Sequence, residues 1–324
     1  MNVLVLSGGP SPEHEVSLNT GKVIAAALDR NKYNVECLIL PKAGIIFSDI
    51  NLKNIDVVFV AMHGKFGEDG TIQGFLELAG IPYTGSGVLA SALAMDKGKS
   101  AELFSFHGLQ VPKCFSFSKN DWETGRKEII KKIPHLTSPL EYQEGGKTPA
   151  PLVIKPQTCG SSVGISIVKK IDDLDRAIKF AFDYDKNIMV QEYISGTEVT
   201  CAILDEGNGA LLALPPTQII PKTAEFFDYE AKYTTGATEE ITPPRLSAEI
   251  IKKIQDNALL AHKVLGCAGM SRTDMIIRGD DIFILETNTI PGMTETSLYP
   301  QAAKAIGLSF ADLLDKIIRA AKKI

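Results

Sequence analysis

Three short apolar runs near the N-terminus constrain the fold of this chain more than any other feature. They are NVLVLS at residues 2–7, a run from Val35 to Leu40, and DVVFVAM from Asp56 to Met62. A stretch of helical character reaching about Leu28 separates the first two. Strands divided by a helix cannot close a tight hairpin, so they pair in parallel through a crossover. The spacing predicts a small Rossmann-like parallel sheet over residues 1–96. Ligands of such sheets bind beyond the C-terminal ends of the strands. Glu13, His14, Glu15, His63 and the GEDG segment Gly67–Gly70 occupy those positions.

Further along, Val88–Phe106 reads as one helix, and Lys119–Pro151 is basic, polar and Pro/Gly-rich around a short helix. Two strands, Leu152–Lys155 and Ile165–Val168, flank the loop QTCGSSVG at Gln157–Gly164. A helix over Asp172–Asp183 follows, then an edge strand at Ile188–Glu192 and another strand at Glu198–Leu204. Residues 217–244 show no periodicity yet contain FFDYEAKY. A structureless segment of that length inside a compact domain is typically a functional lid. Ser247 and Ser309 are placed to cap two amphipathic helices, the first ending at Gly266. The class is α/β, with α+β character in the later part.

Composition serves mainly to exclude. At 324 residues the chain can hold two or three domains. A net charge of -5 offers no basic face for nucleic acid, and no apolar run is long enough to span a bilayer. The start MNVLVLSGG reads as a strand rather than a signal peptide. Cys37, Cys114, Cys159, Cys201 and Cys267 are scattered without a C-x-x-C pair, as expected of free thiols in a reducing cytoplasm.

The chemistry is concentrated in a hairpin. Asp274–Arg278 (DMIIR) and Ile282–Glu286 (IFILE) flank Gly279-Asp280-Asp281, a turn signal. With a three-residue loop, Arg278 faces Ile282, Asp274 lies opposite Glu286, and Arg272 lies opposite Asn288. Two carboxylates and an amide oxygen on one face make a hard-cation site suited to Mg²⁺ bound with substrate phosphates. The Gln157–Gly164 loop supplies the complement. Its glycines and serines can fold over a polyphosphate and donate backbone N–H groups, with Lys155 aimed at the same place from the preceding strand. Two other motifs carry less. Gly98-Lys99-Ser100 lacks the first glycine of a P-loop, and the G-x-G-x-x-A match at Gly85–Ala90 does not follow a proper strand.

Taken together, Lys97, Lys155 with its loop, Gln191–Glu198 and the acidic hairpin resemble the ATP-grasp carboxylate–amine ligases. The resemblance sharpens to the D-alanine–D-alanine ligase family over GGPSPEHEVSL, the block from MHGKFGEDG to ALAMDK, VIKPQTCGSSVG, FFDYEAKY, SRTDM and LETNTIPGMTETSLYP. These blocks keep the family's order and leave only Lys119–Pro151 without a counterpart.

The resemblance implies a three-domain ATP-grasp architecture. An N-terminal domain would span 1–96, a central one 97–189, and a C-terminal one 190–324 with the lid at 217–244. It implies ATP and two Mg²⁺ ions, or Mn²⁺, as cofactors, held by Asp274, Glu286 and Asn288. It places Lys97, Lys155, Lys232 and Ser162 on the phosphates. Gln191, Glu192, Tyr193 and Ile194 would meet adenine, and Glu198 the ribose. Arg272 and the Gly292 N–H would stabilise an oxyanion. Glu15 would hold the ammonium of a first D-alanine, and Ser297 and Leu298 the carboxylate of a second. Tyr233 would reach toward Ser161 and Glu15 to close the site. Gln191-Glu192 departs from the Glu-Lys of some members, which leaves the side-chain roles there open.

His63 either lines the substrate crevice or makes a structural hydrogen bond. Cys159 is either a thiol activated by Lys155 or an inert loop residue. The family also implies a cytoplasmic homodimer acting on D-alanine and ATP, with no nucleic-acid or membrane partner. A ligase forming D-alanyl-D-lactate or D-alanyl-D-serine is the nearest alternative, and Tyr233 on the lid favours dipeptide formation. A catalytically dead nucleotide-binding regulator would be expected to lack the metal or oxyanion residues that this chain retains.

Overall fold

The computed structural model describes residues 1–44, 50–136, 151–160, 163–222 and 238–321. β1 (Asn2–Gly8), β2 (Asn34–Leu40) and β3 (Val57–Val60) form a parallel sheet in the order β2-β1-β3. Helix α1 (His14–Ala27) provides the first crossover. Val3, Leu4, Val5 and Leu6 are all buried, as a central strand covered on both faces requires. Helices α2 (Thr71–Leu78), α3 (Val88–Met95) and α4 (Lys97–Phe106) follow.

The single helix expected over Val88–Phe106 is two. Asp96 is extended (φ -84°, ψ 96°), and its carboxylate accepts from the Lys99 N–H at 2.9 Å. That side-chain bond restarts the helix, so Lys97 stands in the first turn of α4.

A second, antiparallel sheet contains β4 (Cys114–Ser118), β5 (Leu152–Pro156), β6 (Ser166–Val168) and β7 (Asn187–Glu192), ordered β4-β7-β5-β6. Helices α5 (Lys119–Lys132) and α6 (Leu174–Phe182) contribute Trp122, Ile129, Ile178 and Ala181 to its core. The strand read as an edge is therefore interior, since Gln191 pairs with Cys114 on one side and Val153 on the other. The expected boundary at 189/190 falls inside β7.

The third sheet holds β8 (Thr197–Asp205), β9 (Leu211–Ala213), β10 (Thr217–Pro221), β11 (Thr238–Ile241), β12 (Met270–Arg278) and β13 (Asp281–Asn288). Its order is β11-β10-β8-β12-β13, with β9 on β8. Helix α7 (Ala248–Leu265), capped by Ser247 as expected and ended by Gly266 at φ 71°, packs Ile254, Ala258 and Ala261 against Val199, Met275 and Ile284. Phe104 and Leu109 join this same core, so the start of the expected central domain packs with the third sheet. β10 and β11 pair from Gln218↔Ile241 to Pro221↔Thr238, which ties together the two ends of the proposed lid. Residues 223–237, the body of that lid, lie outside the described residues.

Helices α8 (Leu298–Lys304) and α9 (Phe310–Arg319) return to the beginning of the chain. Tyr299, Leu313, Leu314 and Ile317 share a core with the parallel sheet. Asp315 on α9 accepts from the Tyr33 hydroxyl at 2.7 Å and pairs with Arg319 at 2.8 Å. Among the described residues, no helix is long and apolar enough to cross a membrane.

The β12–β13 hairpin has the expected pairing at its working end, reached by a different route. Arg272 faces Asn288 and Asp274 faces Glu286. At the turn, however, Arg278 pairs with Asp281 rather than Ile282, so the loop is Gly279-Asp280 with Gly279 at φ 62°. The register shifts between Asp274 and Met275, which leaves Leu285 as an extra residue. This bulge changes which face β13 presents. Ile282 and Ile284 point into the core with Met275 and Ile277, whereas Glu286 and Asn288 turn to the opposite face.

Candidate active site

The face of the third sheet away from α7 carries polar groups at successive paired positions. Ala202 lies opposite Arg272, Thr200 opposite Asp274, and Glu198 opposite Ile276. Directly opposed residues share a face, so Arg272, Asp274, Glu286, Asn288, Thr200 and Glu198 look into one cleft. Asp274 is nearly buried and is held from two sides. Arg272 donates to it through Nε and Nη2, both at 3.0 Å, and the Thr200 hydroxyl donates at 2.5 Å. The Asn288 amide oxygen accepts from the Ile290 N–H at 3.0 Å, which fixes the following loop.

Lys97 crosses from α4 into this cleft. Its ammonium sits 3.1 Å from Glu286 Oε2 and donates to the Cys159 carbonyl at 2.7 Å. One cation thus ties the acidic strand to the glycine/serine loop. Burial works against its charge, but Glu286 outweighs that and its pKa is raised. Lys155 is buried on β5 and shares a sheet face with Met189 and, one pair along, with Gln191. That face is opposite Ile154 and Val190, which belong to the core under α5 and α6.

Beside the sheet junction lies a cavity of about 290 Å³, lined among others by Tyr193, Ile194, Glu198, Gln218, Ile220 and Ile276. Its lining combines aliphatic and aromatic side chains with the Glu198 carboxylate and the Gln218 amide, which suits a base and its sugar. Two of the expected base contacts, Tyr193 and Ile194, line it. Glu192 does not: its carboxylate accepts from the Lys113 N–H at 2.7 Å at the edge of β4. The Glu192 carboxylate, whose role the sequence leaves open, is thus engaged at that strand edge.

The largest change to the expected residue set is at the N-terminus. Glu15 is exposed in the first turn of α1. Glu13, just before that helix, turns inward instead. A methyl on Gly160 would sit 3.0 Å from Glu13 Oε2, and one on Gly64 would collide with the same oxygen. The carboxylate of Glu13 is thus clamped between the β3 loop and the glycine/serine loop. The signal was present in the sequence. Ser17, Gly21 and Ile24 form the buried stripe of α1, and position 13 extends that stripe by one turn while position 15 does not.

His63 is buried with both ring nitrogens engaged. Nε2 lies 3.0 Å from the Thr20 hydroxyl, and the other side of the ring bonds the Ile290 backbone. Burial lowers its pKa to about 4, so it is neutral near pH 7 and joins the first sheet to the loop after β13. The structural alternative for His63 is the one the geometry supports.

Cys159 is not activated. Its thiol donates to the Tyr184 carbonyl at 3.6 Å, and burial and then Asp185 push its pKa up against a weaker opposing pull from Lys97. Of the two readings of Cys159, these contacts support the inert loop residue.

A methyl on Gly292 would lie 3.1 Å from Ser297 Oγ. Ser297 Oγ in turn bonds the Thr294 N–H at 3.1 Å, and Leu298 is buried at the start of α8. Ser161, Ser162, Lys232 and Tyr233 lie outside the described residues.

The donor set suits a hard cation. Asp274 and Glu286 are opposed carboxylates, with Asn288 two residues along on the same face. Among the described residues, no three His, Cys, Asp or Glu side chains converge on a metal position, so such an ion would need further oxygens from a ligand.

Comparison with known proteins gives a consistent result. A family model described as D-ala D-ala ligase C-terminus matches residues 103–319, and one described as D-ala D-ala ligase N-terminus matches residues 46–86. A D-alanine–D-alanine ligase of Syntrophobacter fumaroxidans is 46% identical over 330 residues, covering 99% of this chain and 97% of the relative. One of Carboxydothermus hydrogenoformans is 43% identical over 323 residues, covering 98% and 97%. Among solved structures, the VanG D-Ala:D-Ser ligase of Enterococcus faecalis aligns with TM-score 0.83 at 35% identity, covering 98% of each chain. A Bacillus anthracis D-alanine–D-alanine ligase complexed with ATP aligns with TM-score 0.80 at 34% identity, covering 99% of this chain and 97% of the other.

Proposed function

We propose a working assignment for the cleft on the premise that this chain belongs to the D-alanine–D-alanine ligase family. The chain is an ATP-dependent ligase that joins two D-alanine molecules, a step of peptidoglycan precursor synthesis. A carboxylate does not condense with an ammonium in water, so one carboxylate must first be activated. On our reading the first D-alanine carboxylate attacks the γ-phosphorus and expels ADP, giving an acyl phosphate. The second D-alanine, its amino group having lost a proton, attacks the acyl carbon through nitrogen and expels phosphate.

The residues divide the work as follows. The base and ribose enter the cavity at Tyr193, Ile194 and Glu198, and Gln191 is assigned to the base from β7. Lys97 and Lys155 neutralise phosphate oxygens, with Ser162 and Lys232 closing over them. Asp274, Glu286 and Asn288 hold Mg²⁺, or Mn²⁺, whose charge when bound offsets that of the phosphates. Arg272 and the Gly292 N–H stabilise the oxyanion of the tetrahedral step. Glu13, rather than Glu15, holds the first ammonium, and Ser297 with the Leu298 N–H receives the second carboxylate. Tyr233 and Ser161 complete the lid contact with Glu13. A homodimer and a cytoplasmic location belong to the same proposal.

The observation that carries this reading is the Asp274–Glu286 pair, set between Arg272 and Lys97 beside a base-sized cavity. A second reading, ligation of D-alanine to D-serine, is favoured by the likeness to the VanG enzyme. Phosphate release and product mass with ATP, Mg²⁺ and a panel of D-alanine, D-serine and D-lactate separate the two. We expect D-alanyl-D-alanine to dominate. Dominant D-alanyl-D-serine would establish the second reading, and no turnover with any pair would remove both.

A further inference from the structure

One buried carboxyl in the cleft has no task in this scheme. Glu68 is 8% exposed. Its Oε2 accepts from the Gly64 N–H at 2.6 Å, while its Oε1 has no hydrogen-bond partner among the described residues. A buried carboxylate oxygen left unpaired is costly, so such a group calls for a ligand or a role.

The loop that holds Glu68 inside is itself strained. Phe66 has φ 70°, a left-handed conformation that an aromatic side chain rarely adopts. A Cβ on Gly67 would lie 2.6 Å from the Met62 carbonyl oxygen, so the backbone there passes too close for any side chain. The Asp69 carboxylate accepts from the Phe66 N–H at 2.9 Å, and Gln73 donates to the Gly67 carbonyl at 2.6 Å. These contacts hold a conformation whose outcome is an inward-pointing Glu68. Backbone strain of this kind collects at functional sites.

The surroundings indicate which ligand. Glu68 lies within electrostatic reach of Glu13, Lys97 and Glu286, and Arg272 feels it in turn. Burial first, and then Glu13, push its carboxyl well above the usual range. A cation arriving beside it would relieve both effects. Two ammonium groups enter the cleft during the reaction assigned above. Glu13 is assigned to the first, Asp274 and Glu286 to metal, and Glu198 to the ribose end of the cavity.

Resting on that assignment, we propose that Glu68 is a substrate-binding residue whose free Oε1 accepts from the amino group of the second D-alanine and orients it toward the acyl carbon beside Arg272. Glu68 thereby selects an amino nucleophile, and it takes no part in forming the acyl phosphate.

The test separates the two half-reactions in the full-length enzyme with ATP and Mg²⁺. Hydroxylamine, a small neutral nucleophile, traps the acyl phosphate as a hydroxamate without needing an ammonium site. Glu68→Gln keeps the acceptor for Gly64 and the shape of the side chain. We expect its hydroxamate rate to stay within about twofold of wild type. Its dipeptide rate at subsaturating D-alanine should fall at least tenfold, through a raised KM for the second D-alanine. A parallel loss of both products, or loss of hydroxamate alone, would place Glu68 in the first step or in the fold and overturn the proposal. Two unchanged rates would overturn it equally. If Glu68→Gln lacks a cooperative thermal transition, Glu68→Asp, which keeps the charge but withdraws the oxygen, is read by the same two assays and criteria. Wild-type enzyme forming neither product with D-alanine would instead count against the family-level activity.

Discussion

Glu13 and Glu15 show how much can depend on two positions at a helix start. Both carry the same carboxylate, yet one is clamped between two loops and the other stands in water. We expect Glu13→Gln to lower kcat/KM for D-alanine on the order of a hundredfold, the loss of a charge-assisted hydrogen bond in a dry cleft. Glu15→Gln should stay within about twofold, as exposed surface changes do. Steady-state kinetics on the pair decides the assignment, and the reverse ranking would restore Glu15. Cys159 offers a second test at this scale. Its thiol is partly buried, donates to Tyr184 and has a raised pKa, whereas Cys37 is exposed. Iodoacetamide near neutral pH should modify Cys37 roughly tenfold faster than Cys159, because thiolate fraction and access set the rate. Peptide mapping over time measures it, and faster labelling of Cys159 would reinstate an activated thiol.

The informative element is the bulge in β13. Regular alternation would place Ile282, Ile284, Glu286 and Asn288 on one face, and no strand can serve both an apolar core and a cation site that way. The extra residue at Leu285 resolves the conflict by turning the strand over between Ile284 and Glu286. Inserting one residue between Asp274 and Met275 should give Leu285 a partner, restore simple alternation and force Glu286 toward α7. The destabilisation should reach roughly 3 kcal/mol or more, the penalty for burying an unpaired charge. Denaturant unfolding of the insertion variant checks this, and a stability within 1 kcal/mol (roughly the effect of an ordinary substitution) would show that the bulge is dispensable. The break between α3 and α4 works similarly. Asp96 ends one helix and begins the next, and without that restart Lys97 would not point across to Glu286.

At the scale of the whole molecule, two buried histidines tie stability to pH. His63 joins the first sheet to the loop after β13, and His262 on α7 bonds Ser271 at 2.7 Å. Burial lowers both pKa values from 6.5 to about 4. The unfolded chain therefore binds more protons than the folded one between those values, so stability is full above pH 6.5 and falls as pH drops toward 4. The combined loss should be several kcal/mol, at roughly 3 kcal/mol per histidine for shifts of this size. Thermal unfolding from pH 7.5 to 4.5 measures it. Replacing His262 with Gln should flatten the slope, and an unchanged slope would assign the acid sensitivity to other groups.

The sequence by itself determined the parallel N-terminal sheet, the capped helix after Ser247, and the β12–β13 hairpin, whereas the pairing of Asp274 with Glu286 depends on the bulge at Leu285. Each rests on local rules: crossover connections, a side-chain cap, and apolar runs around a turn. It also carried the family, because motif order survives without coordinates. Tertiary structure decided the rest. Whether β7 lies at an edge depends on β4 and β5, which come from distant parts of the chain. Which glutamate enters the cleft depends on Gly64 and Gly160, and whether a thiol ionises depends on what covers it. Glu68 reads in the sequence as one more acidic loop residue. Only the folding of that loop over Met62 leaves it buried and half-satisfied.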